Sequence, residues 1–279
     1  MTLLAVHALG TGGMPVDRPA VYADDEGFLR GRAVFETLRV YGGRPFRLEA
    51  HLERLSRSAS LLGLPVPDVA GLSAIGAEAI REGGEPDAVL RFLWTSGREG
   101  GGAPTGLALV SELPAGLEEL RARGLQLAVV TWVPGHRLAA SKSTSYAENL
   151  AAQDEARTRG CDDALLVGAD RTVLEAPTAN VWWREDDRLV TPSLAQPILA
   201  GVTRATLWEV AEAAGYVPEE GVHQLERAAA ADELFLSSSV REVMPVVGLD
   251  GARLGDGRPG EAAVALQAAL RSLATAGSW

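Results

Sequence analysis

The chain has 279 residues, 47% of them hydrophobic and 23% charged, and a formal net charge of −11. This size and composition are typical of one large globular domain or two modest ones. The negative charge argues against non-specific nucleic-acid binding, which depends on basic surface. Cys161 is the single cysteine, so an intrachain disulfide is excluded. The N-terminus has neither a basic start nor a long apolar run, and we expect a cytoplasmic protein without a signal peptide or membrane helix.

The first third of the chain predicts a sheet with helices. Residues 33–48 contain two strand-like runs around Gly42 and Gly43, which predicts a hairpin. Apolar residues at helical spacing predict a helix over 48–62 that ends at Gly63. Further elements follow in chain order: a helix over 69–82 and strands over 88–96 and 105–113, with a glycine-rich loop between these strands.

After residue 113, a connector is expected, and then strands and helices alternate. The predicted strands are 125–133, 163–168, 172–176, 179–183, 232–238 and 243–251, and the predicted helices are 148–160, 203–215 and 261–274. This order predicts an α/β (α+β) protein of two domains. We expect a smaller N-terminal domain over 1–113, a connector over 114–124 and a larger C-terminal domain over 125–279.

Lys142 is the only lysine, in a chain with 25 arginines. Arginine replaces lysine as a surface charge, but its pKa is too high for it to act as an amine nucleophile. A lysine kept against this bias is a candidate for a Schiff base with a carbonyl cofactor or substrate. The alternative is chance survival in a surface loop. Lys142 precedes a predicted helix, so its side chain can project into a cleft.

A carboxylate and an amide follow in the segment TVLEAPTANVWW, where Glu175 and Asn180 are predicted to lie on a strand flanked by turn residues. A carboxylate near a Schiff-base lysine can keep a pyridine nitrogen protonated and so make pyridoxal phosphate an electron sink. The alternative is a glutamate at the surface end of a strand.

Three segments contain donors suited to a phosphate. Arg54 shares a predicted helix face with His51 and Ser58, although a solvated face would look the same. Gly201 precedes a helix start that offers free amide groups, unless Thr203 simply caps that helix. The candidate phosphate ligands are Arg54, Val202, Thr203, Ser238 and Ser239.

In combination, these segments resemble the class IV aminotransferases, the fold-type IV pyridoxal-phosphate enzymes. That group contains branched-chain aminotransferases, D-amino-acid aminotransferases and aminodeoxychorismate lyases. The matching segments are VFETLRV, HLERLSRSA, SKSTSYAENLAA, LEAPTAN, PILAGVTR and SSSVREVMPV, in family order over residues 25–250.

The resemblance implies a two-domain fold with pyridoxal 5′-phosphate at the domain interface. It implies that Lys142, on the larger domain, forms the Schiff base and moves a proton between the substrate Cα and the cofactor. Glu175 would pair with the pyridine nitrogen, and Asn180 would also contact the cofactor. The phosphate would be held by Arg54, the amides of Val202 and Thr203, and Ser238 with Ser239. Such enzymes are usually homodimers whose active sites include residues of the neighbouring subunit.

Three differences between this sequence and the family pattern bear on substrate specificity. Tyr146 follows the lysine by four residues, whereas branched-chain enzymes often place a cofactor-contacting tyrosine slightly further on. The tyrosine-x-arginine element of branched-chain enzymes is missing, and Arg98 lacks the histidine that accompanies it in D-amino-acid aminotransferases. Arg39 and Arg98 are our candidates for the substrate carboxylate, with Thr37 as a further substrate contact. Surface arginines are the alternative.

The first functional hypothesis is an aminotransferase acting between an amino acid, with D-amino acids favoured, and a 2-oxo acid. The second is an aminodeoxychorismate lyase that forms 4-aminobenzoate and pyruvate, because the REGGG and FETLR segments resemble that type. The third is a non-catalytic cofactor-binding or scaffold protein that has kept the fold. No metal site is expected, because the four histidines, His7, His51, His136 and His223, lack ligand spacing.

Overall fold

The structure, a computed structural model, describes residues 1–133 and 138–276. The chain divides into two compact units. The first contains Met1–Ala115 and Ala140–Tyr146, and the second contains the described residues of 116–139 and 147–276. The sequence prediction gave Lys142 to the larger domain, whereas its segment packs with the first unit. The predicted domain boundaries at 113 and 125 stay a prediction.

The first unit is an antiparallel sheet whose two longer helices pack on one face. Its strands are β1 (Leu3–Ala8), β2 (Gly12–Met14), β3 (Ala33–Tyr41), β4 (Arg44–Pro45), β5 (Ala88–Thr95) and β6 (Gly106–Ser111), in the order β2-β1-β6-β5-β3-β4. Its helices are α1 (Glu26–Arg30), α2 (Leu48–Leu61) and α3 (Val69–Gly83). The predicted helices and the hairpin are confirmed. Gly42 and Gly43 both have positive φ, the backbone that a two-residue type I′ hairpin turn requires.

Alternation along β3 separates a core face from an outer face. Val34, Leu38 and Val40 are buried in the core with residues of α2 and α3. Phe35, Thr37 and Arg39 point to the opposite face of the sheet, because successive side chains of a strand alternate. Glu36, although charged, lies on the core side. It has to be paired there, and α2 supplies its partners.

The second unit is a mixed eight-stranded sheet. Its strands are β7 (Leu125–Thr131), β8 (Asp163–Val167), β9 (Asn180–Glu185), β10 (Arg188–Pro192), β11 (Val217–Gly221), β12 (Glu233–Ser238), β13 (Glu242–Leu249) and β14 (Ala252–Arg253). The order is β11-β10-β9-β12-β13-β7-β8, with β14 paired to β13. Its helices are α4 (Leu117–Arg123), α5 (Ala147–Thr158), α6 (Val202–Ala211), α7 (Leu225–Ala229) and α8 (Glu261–Ala276), with a 3-10 turn at Glu212–Ala214.

Two predicted elements differ from the structure. The connector expected over 114–124 contains helix α4. The strand expected over 172–176 is irregular, because its backbone hydrogen bonds alternate between two neighbours. Leu174 N–H donates to the Leu166 carbonyl, while Val173 N–H donates to the His223 carbonyl. Glu175 therefore lies outside a regular strand, whereas Asn180 begins β9.

The N-terminus of α8 is held by a carboxylate from β12. Glu233 is buried and accepts hydrogen bonds from the N–H groups of Ala262 and Ala263 at 3.0 and 3.3 Å, and from Arg184 at 2.8 Å. It satisfies amide groups that the start of a helix leaves without partners, and its charge opposes the helix dipole.

The Glu233→Ala substitution is therefore expected to lower the free energy of unfolding by about 2–4 kcal/mol, because it removes one partner of a buried pair and the support of the helix start. Urea unfolding followed by circular dichroism measures this effect. Glu261→Ala, in the exposed first turn of the same helix, is the control and should cost about 0.5 kcal/mol or less. Equal losses in the two variants would contradict the assignment.

None of the helices within residues 1–133 and 138–276 has the length and apolar character needed to cross a membrane.

Candidate active site

The backbone of Lys142 is attached to β3. Phe35 N–H donates to the Lys142 carbonyl at 2.9 Å, and Thr144 N–H donates to the Ala33 carbonyl at 2.9 Å. On its other side, Lys142 N–H donates to Ser58 Oγ of α2 at 3.0 Å. Residues 142–144 thus continue the sheet beyond β3, which explains why this segment packs with the first unit.

The Lys142 side chain lies against two aromatic rings on the outer face of β3. Its Nζ is 4.5 Å from the centre of the Phe35 ring, and it donates to the Tyr146 hydroxyl at 3.4 Å. The Phe35 and Tyr146 rings meet edge to face, 5.2 Å apart. Lys142 is half-buried in this arrangement. Its surroundings therefore differ from those expected for a lysine that has been kept by chance in a solvated loop.

Arg54 is part of a buried ionic cluster. Its Nε and Nη2 each donate to Glu36 at 2.7 Å, and His51 Nδ1 lies 2.6 Å from the same carboxylate. Burial alone would raise the pKa of Glu36, but the charge and hydrogen bonds of Arg54, with help from His51, hold that pKa at about 2. Burial lowers the pKa of His51, against the pull of Glu36. The solvated-face alternative for this side of α2 is wrong, since His51, Arg54 and Ser58 are all buried.

In the second unit, the Glu175 carboxylate is held by neutral amides. Asn180 Nδ2 donates to it at 3.1 Å, and Leu199 N–H donates to its two oxygens at 3.2 and 3.3 Å. Asn180 Nδ2 also donates to the Leu199 carbonyl at 2.9 Å. These donors orient the buried carboxylate. A carboxylate held in this way suits a cationic N–H of a ligand.

Helix α6 begins beside this carboxylate. Its N-cap is Gly201, which makes no side-chain capping bond, so Thr203 is an inner residue of the first turn and not the cap. A Cβ at residue 201 would lie 2.0 Å from Asn180 Oδ1, so only glycine fits. The first amides of α6, at Val202 and Thr203, carry the positive end of the helix dipole. This start is suited to an anion.

The two candidate serines lie at the end of β12, directly after a residue that pairs with Asn180. Ser237 pairs with Asn180 across β12 and β9, and Ser238 is the last residue of the strand. Ser238 Oγ accepts the Arg241 N–H at 3.3 Å, so it shapes the turn that follows. Ser239 is half-buried in that turn. Glu175, Asn180, the start of α6 and the serines thus form one cluster in the second unit.

The substrate candidates occupy different surroundings in the first unit. Thr37 and Arg39 share the outer face of β3 with Phe35, and Arg39 lies 5.0 Å from the centre of the Tyr41 ring. Arg98 is exposed, and its guanidinium donates to Asp24 at 2.8–2.9 Å. The hydrogen bond from Arg98 is the main reason that the pKa of Asp24 lies below its ordinary value.

Arg91 is a candidate that the sequence reasoning missed. It pairs with Thr37 across β5 and β3, and its guanidinium lies 5.9 Å from the centre of the Phe35 ring that Lys142 also contacts. Among the described residues, Arg91 is exposed and has no carboxylate partner. The signal was present in the segment AVLRFLWT, where one arginine interrupts an otherwise apolar strand.

The described part of the chain contains no group of three histidine, cysteine or acidic side chains placed to hold a metal ion. His136, one of the four histidines, lies outside the described residues. His7 contacts Glu82 and His223 contacts Arg227, both within their own units.

A family model for amino-transferase class IV matches residues 33–249. The chain belongs to this family. A bifunctional aminodeoxychorismate lyase / D-amino acid transaminase of Mycobacterium tuberculosis is 34% identical over 258 residues, which cover 85% of this chain and 88% of the relative. An aminodeoxychorismate lyase of Bacillus subtilis is 31% identical over 258 residues, or 87% and 86% of the two chains. These matches confirm the resemblance stated from the sequence.

Solved structures agree with this assignment. A fold IV-transaminase from Curtobacterium pusillum superposes with a TM-score of 0.89 at 33% identity, covering 98% of this chain and 99% of that one. A hypothetical aminotransferase from Mycobacterium tuberculosis in a PLP-bound form gives 0.88 at 33% identity, with coverages of 96% and 99%. The chain therefore has the two-domain fold-type IV architecture.

Class IV aminotransferases use pyridoxal 5′-phosphate, and the residues of this class IV enzyme fit that cofactor. The single lysine amine is held on a sheet face, which suits a carbonyl partner. The buried Glu175 carboxylate has neutral donors and suits a protonated ring nitrogen. The start of α6 has no side-chain cap, and it suits a phosphate.

Proposed function

We propose that the enzyme is an aminotransferase that moves an amino group between an amino acid, with D-amino acids favoured, and a 2-oxo acid. The observation that carries this proposal is the position of the Lys142 amine on the outer face of β3, with Thr37, Arg39 and Arg91 on the same face. A reactive amine and arginines that can bind a carboxylate, placed on one surface, suit an α-amino acid substrate. The relative from Mycobacterium tuberculosis named as a D-amino acid transaminase supports the preferred hand.

The roles proposed for the residues follow from their chemistry. When bound, the cofactor accepts the amino group and withdraws electrons from the substrate Cα. The Lys142 amine would take the proton from the substrate Cα and deliver it to the cofactor. Glu175 would accept the N–H of the cofactor ring, and Asn180, which donates to Glu175, would keep this carboxylate oriented. The phosphate would be held by Arg54, the amides of Val202 and Thr203, and the hydroxyls of Ser238 and Ser239.

Three arginines are proposed for the substrate carboxylate, and their surroundings rank them. Arg91 comes first, because it has no carboxylate partner among the described residues and shares the Phe35 ring with Lys142. Arg39 lies on the same face. Arg98 ranks last because Asp24 already occupies its guanidinium. Thr37, opposite Arg91, is proposed to contact the substrate.

The Arg91→Gln substitution is expected to lower kcat/KM for D-alanine by roughly 10- to 100-fold, since a charge-assisted hydrogen bond contributes about 1.5–3 kcal/mol. The same substitution should change turnover of an amine that lacks a carboxylate by less than about three-fold. Arg98→Gln is the matched control and should have the smaller effect on D-alanine. A larger loss in Arg98→Gln than in Arg91→Gln would reverse the ranking.

An aminodeoxychorismate lyase is the second candidate, since two relatives carry that name. Both reactions need the same proton transfer by Lys142, so product analysis separates them. The purified enzyme would be mixed with one equivalent of D-alanine, L-alanine or aminodeoxychorismate. The proposal expects pyruvate together with stoichiometric pyridoxamine phosphate from D-alanine. Pyruvate and 4-aminobenzoate from aminodeoxychorismate, with no pyridoxamine phosphate from either alanine, would overturn it in favour of the lyase.

We also propose that the enzyme is a homodimer, as the family resemblance implies, and that it is cytoplasmic, as expected from its N-terminal sequence and single cysteine. Failure to take up any cofactor would favour the third hypothesis, a protein that has kept only the fold.

A further inference from the structure

The amine of Lys142 has an aromatic environment supplied by two residues of the first unit. Phe35 presents its ring face at 4.5 Å from Nζ, and the ring of Tyr146 lies 5.8 Å away with its hydroxyl at 3.4 Å. Both distances to the ring centres fall within the range in which an ammonium is attracted by an aromatic face.

The two rings are fixed independently of the lysine side chain. Phe35 belongs to the middle of β3, and its N–H is bonded to the Lys142 carbonyl. Tyr146 N–H donates to the Thr144 carbonyl at 2.8 Å, which turns the chain back after the lysine. The edge-to-face contact between the rings then sets their angle at 72°. The environment is therefore preformed around the position of the amine.

We propose that Phe35 and Tyr146 form an aromatic seat that holds the protonated amine of Lys142 whenever this amine is not bonded to the cofactor. This inference rests on the proposed function, in which Lys142 has to leave its bond to the cofactor, accept a proton and return it. The seat keeps the protonated amine close to the outer face of β3 in that interval.

The charges around the amine explain why a seat is needed. Arg91 of β5 lies against the same Phe35 ring, and His51 of α2 is close enough for Lys142 to lower its pKa, after the larger effect of burial. The guanidinium of Arg91 opposes a further positive charge at this ring. The hydroxyl of Tyr146 accepts a hydrogen bond from the amine. The two aromatic faces offset part of this repulsion.

The seat also gives Tyr146 a role. Its offset of four residues from Lys142 departs from the branched-chain pattern, and the sequence alone leaves its function open. The turn after the lysine brings ring and hydroxyl back to the amine. Phe35 and Tyr146 are thus positioning residues for Lys142.

The single lysine makes a direct test possible. Reductive methylation of the cofactor-free full-length protein with 13C-formaldehyde labels only Lys142 and the N-terminal amine. A dimethylammonium group keeps its charge and its attraction to aromatic faces. NMR of this sample should show a Lys142 methyl signal moved upfield by the ring current of Phe35, and this signal should titrate with pH.

The Phe35→Leu substitution should abolish the upfield shift and lower the titration midpoint by roughly half a pH unit to one and a half units, the range expected from a lost cation–π contact. Phe35→Tyr should restore both. Tyr146→Phe should keep the upfield shift and lower the midpoint by a smaller amount, since only the hydroxyl is lost. Phe28→Leu, which removes an exposed ring of α1, is the control and should change neither.

A Lys142 signal with no upfield shift, or one unaffected by Phe35→Leu, would overturn the seat. These readouts involve no cofactor and no substrate. Failure of the proposed function, seen as an absence of pyridoxamine phosphate formation, would therefore be recorded separately from failure of the seat.

Discussion

Replacing Lys142 with arginine is expected to remove the visible absorption of the lysine-bound cofactor and to lower the rate of the D-alanine half-reaction by about 10³-fold or more. Arginine keeps the positive charge and much of the length, but it retains its proton and forms no Schiff base. Because the backbone of Lys142 and not its side chain continues the sheet at β3, the fold should survive the change. Absorption spectra and single-turnover rates measure the first effect, and urea unfolding measures the second.

Lys142→Ala provides the complementary control. It leaves a space next to Phe35 and Tyr146 that a small amine can enter. Added methylamine should restore part of the lost proton-transfer rate in Lys142→Ala and none in Lys142→Arg, where the space is filled. Full turnover in Lys142→Arg without added amine would exclude Lys142 as the proton carrier.

The Glu36→Gln substitution is expected to lower the free energy of unfolding at pH 7 by about 3–5 kcal/mol. It removes the charge that compensates Arg54 inside the core and leaves a buried guanidinium without its counterion. Urea unfolding gives the difference. Glu53→Gln, on the exposed side of the same helix, loses only a long contact of 3.8 Å with Arg57 and should cost about 0.5 kcal/mol or less.

The contribution of Glu36 to the stability of the protein is expected to decrease in acid. Because the pKa of Glu36 is lowered to about 2 from 4.5, its contribution to stability is complete above pH 4.5 and is lost as the pH falls towards 2. The contribution lost is about 3 kcal/mol. The stabilities of wild type and Glu36→Gln should therefore approach each other between pH 4.5 and pH 2. A constant difference down to pH 2 would show that the carboxylate is not the source of the effect.

Periodicity and composition were informative where local pattern decides structure. The hairpin at Gly42 and Gly43, the helix from Leu48 and the exceptional status of Lys142 are local features, readable from spacing or counting. The sequence does not reveal that the polar face of α2 is buried. A helix face with His51, Arg54 and Ser58 has the same pattern whether it faces water or a buried carboxylate. Only the pairing of β3 with its neighbours places Glu36 beneath that stripe.

The candidate site shows the same limit. Glu175 stands out in the sequence and its role stays a prediction, but the irregular path of 172–176 depends on two distant partners, Leu166 and His223. Arg91 was missed because its significance comes from lying opposite Thr37 on another strand. Cross-strand register is a long-range property, and a single sequence contains little information about it.

The attachment of residues 142–144 to β3 has a consequence for how the protein is made. During synthesis, the strands of the first unit are complete by residue 115, but the edge of β3 at Ala33 and Phe35 has no partner until the ribosome has added almost thirty more residues. Unpaired strand edges attract other chains. A truncated chain ending at residue 115 would keep that edge open, whereas one ending after Tyr146 could close it. We therefore expect the segment that carries Lys142 to cover this strand edge in the nascent protein as well.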